Sequence, residues 1–174
     1  IMVDFVEALQ PQAFLQGIEI QLRLEAQNAQ VAAAADTMRQ VLLNGLLNAV
    51  AAIHTSGERG GIIELTTRQI CKDGQPWLEI CLTDTGCGLA PEHSDKIFDP
   101  FFTTREVGTG MGLGLSIVDK TVQRMGGTFA LANSASGGLV AHVQLQRAHD
   151  QPQGTDSQQR LQRPQVKRKL PPRP

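Results

Sequence analysis

The chain has 174 residues, 41% of them hydrophobic, and a formal net charge of -1, enough apolar material for one domain of ordinary size with a real core. No apolar run approaches the roughly 18 residues of a membrane-crossing helix, and the first residues do not read as a signal peptide. The near-neutral charge hides an asymmetry. Residues 147–174 hold seven Lys/Arg against two Asp, leaving nine Lys/Arg and fifteen Asp/Glu for an acidic body that does not suit nucleic acid.

Taken in order, Val3 to Gln16 reads as a helix with Val3, Val6, Leu9, Ala13 and Phe14 on one face. Asp4 suits its first turn, Pro11 predicts a kink and Gly17 a stop. Because Ile1-Met2-Val3 already lies inside this apolar pattern, the chain reads as a piece of something longer. Ile18 to Leu24 alternates as a strand, and a small-residue stretch from Ala26 to Ala35 leaves room for a short strand near Val31. Asp36 is the expected N-cap of a long helix from Thr37 to about His54, with Met38, Val41, Leu42, Leu46, Val50 and Ile53 as its apolar stripe. Asn44 and Asn48 stand four apart, on one side of that helix. A buried unpaired amide costs roughly 1–3 kcal/mol. Two readings satisfy the pair: local packing bonds, or a carbonyl oxygen of Asn48 offered to a hard cation such as Mg²⁺, which shares oxygen ligands with phosphates.

After a polar loop from Ser56 to Gly61, Ile62 to Cys71 reads as a strand, and Lys72-Asp73-Gly74-Gln75 as a hairpin turn. The next strand runs from Pro76 to Asp84, with Leu78, Ile80 and Leu82 alternating with Glu79, Cys81 and Thr83. It delivers Asp84 into a turn, Asp84-Thr85-Gly86-Cys87-Gly88-Leu89, whose glycines admit positive φ and close approach. A carboxylate there can cap the next segment or accept a hydrogen bond from a purine amino group. Cys71, Cys81 and Cys87 are odd in number and lack metal-ligand spacing, so a reducing compartment and no structural zinc are expected; Cys87 reads as a filler or as a reachable thiol.

Pro91-Glu92 opens a short helix to about Ile97. Phe98, Phe101 and Phe102 flank Asp99 and Pro100 as a local mini-core under a loop, followed by Thr103, Thr104 and Arg105, the last a phosphate contact or a solvated surface residue. Gly108, Gly110, Gly112 and Gly114 then lead into a helical pattern of Leu115, Val118, Val122 and Met125. Backbone N–H groups at a helix N-terminus, with no side chain in the way, form a phosphate cradle. Neither a Walker A loop nor a dinucleotide-binding unit is present around it. Gly126-Gly127 ends the helix, and Phe129 to Asn133 and Leu139 to Gln146 read as a closing strand pair. From about residue 148 periodicity vanishes, which predicts a disordered basic tail. Its end, Arg168-Lys169-Leu170-Pro171-Pro172-Arg173-Pro174, has the form of a polyproline ligand or of a solvated basic segment.

Four motifs therefore stand in fixed order: Asn44-x-x-x-Asn48, Asp84-x-Gly86-x-Gly88, Phe98-Asp99-Pro100-Phe101-Phe102 and Gly110-x-Gly112-x-Gly114. Residues 1–147 resemble the catalytic ATP-binding domain of bacterial two-component sensor histidine kinases, whose N, G1, F and G2 boxes follow this order. The run from Thr103 to Val118, with Gly126-Gly127 and Ala132-Asn133, is most similar to the nitrogen-regulation and C4-dicarboxylate sensor group. The resemblance implies the Bergerat α/β (α+β) sandwich: a mixed, mostly antiparallel sheet covered on one face by about three helices. ATP and Mg²⁺ are the implied ligands. In that scheme Asn48 coordinates Mg²⁺, Asn44 supports the phosphate end, and Asp84 receives the adenine amino group. Gly86 and Gly88 allow close approach to the purine, and Ala51 and Leu89 are further nucleotide-binding positions. Phe101, Phe102, Thr103, Thr104 and Arg105 open a lid, Arg105 serving catalysis with the two asparagines. Gly110, Met111, Gly112, Leu113, Gly114 and Leu115 form the phosphate cradle.

The implied partners are a histidine-bearing dimerisation domain and a downstream response regulator, with no membrane contact by this segment itself. The implied location is cytoplasmic, under a parent that is anchored in an inner membrane in many such kinases. His54, His93, His142 and His149 lack the setting of a phosphoacceptor, so the acceptor is expected on another domain and this piece is expected to be largely monomeric. Two departures stand out: Ala51 replaces a common Lys or Arg, and Leu139 a common small residue or Thr. Related ATPases place a Glu general base where Asn44 sits. An amide cannot take that proton at neutral pH, which favours transfer over hydrolysis. A nucleotide-binding module, or an ATPase without phosphotransfer, is the competing reading.

Overall fold

The computed structural model describes residues 2–9, 17–26, 30–57, 60–104, 111–135 and 137–147. The elements follow as α1 (Met2–Leu9), β1 (Ile18–Leu24), α2 (Ala35–Thr55), β2 (Gly61–Lys72), β3 (Gln75–Asp84), α3 (Gly114–Arg124), β4 (Thr128–Asn133) and β5 (Leu139–Gln146). A 3₁₀ turn at Pro91–His93 lies between β3 and α3. The strands form one sheet in the order β1-β2-β3-β5-β4. β1 runs parallel to β2, and the other neighbours are antiparallel.

The alternation seen along the strands decides which face is covered. Leu78, Ile80 and Leu82 of β3, Ile63 and Leu65 of β2, and Val143 and Leu145 of β5 join one apolar cluster with the inner stripes of α1, α2 and α3. α2 contributes Met38, Val41, Leu42, Leu46, Ala49, Val50 and Ile53, and α3 contributes Val118 and Val122. Ile53, Ile63 and Val122 are fully enclosed, and burying such a side chain stabilises by about 1.5–3 kcal/mol. The sandwich is thus a five-stranded mixed sheet with three helices on one face, as expected. Among the described residues no helix is long and apolar enough to cross a membrane.

Local chemistry accounts for the joints. Asp73 and Gly74 take φ of 53° and 72°, the paired positive values of the primed hairpin turns that Asp-Gly favours. Four expectations are corrected. α2 begins at Ala35 behind Ala34, which supplies no side-chain cap; Asp36 sits inside the first turn and pairs with Arg39 at 2.8 Å. The helix dipole favours a carboxylate there as well as at the cap. Val31 makes only an isolated bridge to Arg147. The helix opened by Pro91 is a single 3₁₀ turn rather than one reaching Ile97.

The phenylalanines, fourth, do not cluster. Phe98 packs edge-on against Phe129 at 5.8 Å, Phe102 tilts against His93 at 5.4 Å, and Phe101 is exposed. The cause is a turn in which Phe102 N–H donates to the Asp99 carbonyl at 3.2 Å while Phe101 holds φ 69°. Positive φ at an aromatic residue costs about 1–3 kcal/mol. Residues 10–16, Arg105, Gly108, Gly110 and the expected tail from 148 lie outside the described residues.

Candidate functional site: a two-lobed cleft beside the long helix

α2 brings Asn44 and Asn48 to the outer side of the core, one turn apart, where they meet α3 and the segment before it. A cavity of about 360 Å³ opens there, lined by Asn44, Asn48, Thr103, Thr104 and the run Met111 to Leu115. A second cavity of about 610 Å³ adjoins it, lined by Ala51, Ala52, Thr55, Cys87, Gly88, Leu89 and Leu139. Asn48, Ile97, Thr104 and Leu115 line both. The two are lobes of one cleft of the size that holds a small-molecule ligand.

Asp84 lies just before the turn whose Cys87, Gly88 and Leu89 line the second lobe, and is not itself in the lining. It is 3% exposed. Its Oδ1 accepts from Gly86 N–H at 2.8 Å and from Leu139 N–H at 3.3 Å. Oδ2 accepts no hydrogen bond among the described residues. Burial pushes the Asp84 carboxyl above its ordinary range, and the bonds from Gly86 and Leu139 only partly offset this. Gly138 packs against the same residue: a Cβ there would stand 2.0 Å from the Asp84 backbone carbonyl oxygen and 3.0 Å from Oδ1.

The glycines divide by role. A Cβ on Gly86 would lie 2.5 Å from the Ala52 carbonyl carbon, so this glycine seats the loop on α2. Cys87 N–H donates to the Ala52 carbonyl at 3.3 Å in the same contact. Gly88 does line the cleft, and it leaves space for Asn133, whose side chain would be 3.0 Å from a Cβ there. Gly112 has φ 63°, and its carbonyl accepts from Phe101 N–H at 2.9 Å. A Cβ on it would come within 2.5 Å of the Phe102 carbonyl oxygen; Gly112 is thus seated directly against Phe101 and Phe102. Gly114, the first residue of α3, leaves the space that the Asn48 amide occupies, 3.2 Å from a Cβ to Nδ2.

Of the residues expected at the site, Asn44, Asn48, Ala51, Gly88, Leu89, Thr103, Thr104, Met111, Gly112, Leu113, Gly114 and Leu115 line the cleft. Asp84 and Gly86 are outside its lining, beside the residues of the same turn that do line it, and Phe101, 74% exposed, is outside it too. The expectations for Arg105 and Gly110 lie outside the described residues. Asn133 received no role from the sequence. Its Oδ1 accepts from Leu89 N–H at 2.8 Å and its Nδ2 donates to the Leu89 carbonyl at 2.9 Å, which ties the glycine turn to β4. Leu47 and Ile97 also line the cleft. Leu47 was legible in principle, one turn after Asn44.

A helix-roofed mixed sheet with this cleft between α2 and α3 defines the nucleotide-binding sandwich class. The chain belongs to the histidine kinase-, DNA gyrase B- and HSP90-like ATPase family, whose model matches residues 33–149. It is 39% identical over 122 residues to the sensor histidine kinase ZraS of Escherichia coli, an alignment covering 69% of this chain and 24% of ZraS. The nucleotide-free catalytic domain of the histidine kinase ThkA superposes with a TM-score of 0.65 at 27% identity, covering 83% of this chain and 88% of that domain. Full-length ShkA, solved in complex with AMPPNP, does so with a TM-score of 0.68 at 29% identity, covering 84% of this chain and 29% of ShkA. The chain thus spans about a quarter of the length of ZraS.

Proposed function

We propose that this domain binds Mg-ATP and transfers the γ-phosphoryl group to a histidine on a separate dimerisation domain, in a two-component signalling system. The carrying observation is the continuous cleft from the Asp84 turn to the N-terminus of α3, with Asn48 lining both lobes. Adenine fits the lobe beside Asp84, where Oδ2 can accept the exocyclic amino group. The phosphates fit the other lobe, where the α3 N-terminus favours negative charge. Side-chain donors in that lobe are the amides of Asn44 and Asn48 and the hydroxyls of Thr103 and Thr104. The side-chain oxygens of this set suit a hard cation; Asn48 would hold Mg²⁺ through its Oδ1, and the ion would supply charge neutralisation on the phosphates.

In the transfer step a nitrogen lone pair of the acceptor histidine attacks the γ-phosphorus, a P–N bond forms, the bond to the β-phosphate oxygen breaks and ADP departs. The protein positions the γ-phosphoryl group for this step. Asn44 cannot act as a general base, which supports an external nucleophile rather than activated water.

The test is calorimetric titration of the chain with Mg-ATP, then addition of a separate histidine-bearing domain and labelled ATP. Binding with acid-labile label on the added domain is expected. Binding with phosphate release but no label would replace the kinase reading with an ATPase, and binding alone with a nucleotide-sensing module. Asn48→Ala should weaken Mg-ATP binding at least about tenfold, since it removes the oxygen that would hold Mg²⁺; unchanged affinity would remove Asn48 from the site.

A further inference from the structure

The face of the sheet turned away from the helices carries a side-chain cluster that the cleft does not use. Leu78, Ile80, Leu82 and Asp84 point toward the helices, so Glu79 and Cys81 point to the opposite face. The register sets Cys81 opposite His142 and Glu79 opposite Gln144 on β5, and Arg68 of β2 opposite Glu79. His142 Nδ1 lies 3.3 Å from Cys81 Sγ and 3.6 Å from Glu79 Oε1. The three ligand atoms all fall within 4.8 Å of one another.

The two separations from His142 Nδ1 match the edges of a zinc tetrahedron. Metal–ligand bonds of about 2.3 Å to sulfur and about 2.0–2.2 Å to nitrogen and oxygen place neighbouring ligand atoms about 3.3–3.6 Å apart. We propose that Glu79, Cys81 and His142 form a Zn²⁺ site, with water as the fourth ligand on the open face of the sheet.

The surroundings fit a ligand set held in advance. Glu79 is 3% exposed. Its Oε2 bonds to Arg68 and its Oε1 accepts from Gln144 Nε2 at 2.8 Å, the outer-shell bonding that orients ligating carboxylates. Thiolate and imidazole select a borderline ion such as zinc over Mg²⁺, so this site is chemically distinct from the cleft, and the sheet separates the two. The spacing rule that argued against zinc concerns ligands close in sequence. Here Cys81 and His142 are 61 positions apart, and only β3–β5 pairing joins them.

Binding takes the Cys81 thiolate and releases its proton to solvent. Burial and the neighbouring Glu79 push that thiol up, while Arg68 from β2 pulls it down. Affinity should fall as pH is lowered, because binding releases the Cys81 proton.

The full chain, stripped of metal with a chelator, is titrated with Zn²⁺ alone and with Co²⁺ alone. One ion per chain is expected, with a thiolate-to-cobalt charge-transfer band that Zn²⁺ abolishes. Cys81→Ser should remove the band, Cys71→Ser should keep it, and His142→Gln should weaken Zn²⁺ binding at least about tenfold. A cooperative melt of each variant without metal confirms that the fold is retained. Absence of the band in the parent chain, or its persistence in Cys81→Ser, would overturn the site.

Discussion

In the role proposed for it, Asp84 serves both the fold and the ligand. Its Oδ1 is committed to Gly86 and Leu139, which leaves Oδ2 for the proposed contact with adenine. Asp84→Asn keeps an acceptor for the two backbone bonds but turns an amide donor toward the adenine amino group. ATP affinity should fall about tenfold or more, as expected when a buried polar contact becomes a donor–donor clash. The melting temperature should not fall. A carboxyl raised on folding is destabilised in its ionised form, so its cost to stability grows as pH rises through the folded value and vanishes on acidification. Asparagine removes that cost at neutral pH. Calorimetry for ATP and a thermal melt at neutral pH check both halves; retained preference for ATP over GTP would contradict the role.

At the scale of elements, the cleft depends on how closely the Asp84 turn is seated on α2. Gly86→Ala would force a methyl group to within 2.5 Å of the Ala52 carbonyl carbon. Backbone cannot yield there as a flexible side chain would, so a loss of about 1–3 kcal/mol is expected, measurable by denaturant unfolding, with weaker ATP binding as the turn moves. A variant as stable as the parent would show that the turn tolerates displacement. The strands, the long helix and the glycine turn were legible because each is written in neighbouring residues: period two in Leu78, Ile80 and Leu82, helical spacing in Met38 to Ile53. The packing partner of Gly86 was not, because a glycine signals a missing side chain without naming what fills the space. Likewise Asn133 reaches Leu89 across 44 positions, beyond any local pattern.

For the molecule as a whole, acid stability should depend on the outer face of the sheet. Burial acts most strongly on Glu79 and pushes its carboxyl up, but the bonds from Gln144 and Arg68 and the Arg68 charge outweigh it, and the carboxyl sits below its ordinary range. A lowered folded value means stability present above the unfolded value and lost as pH falls through the folded one. Glu79→Gln should therefore melt below the parent at neutral pH, and the gap should close on acidification; a gap independent of pH would assign the loss to shape alone. A chain ending at Arg147 is expected to keep both melting temperature and Mg-ATP affinity, since the sheet, core and cleft described above lie within residues 2–147. A drop in either would place a structural role in residues 148–174.

By itself the sequence determined the five strands of the sheet, the long helix and the order of the four motifs, because each rests on short-range periodicity or spacing; the family and most of the expected cleft lining followed from the resemblance that those motifs carry. Only the tertiary structure decided that Gly86 is seated against α2, that Phe101 turns outward, that Asn133 clamps Leu89, and that Glu79, Cys81 and His142 converge. Each of those depends on sheet register and on helix seating. Both are set by burial of the whole apolar face at once, and no local stretch of residues encodes that.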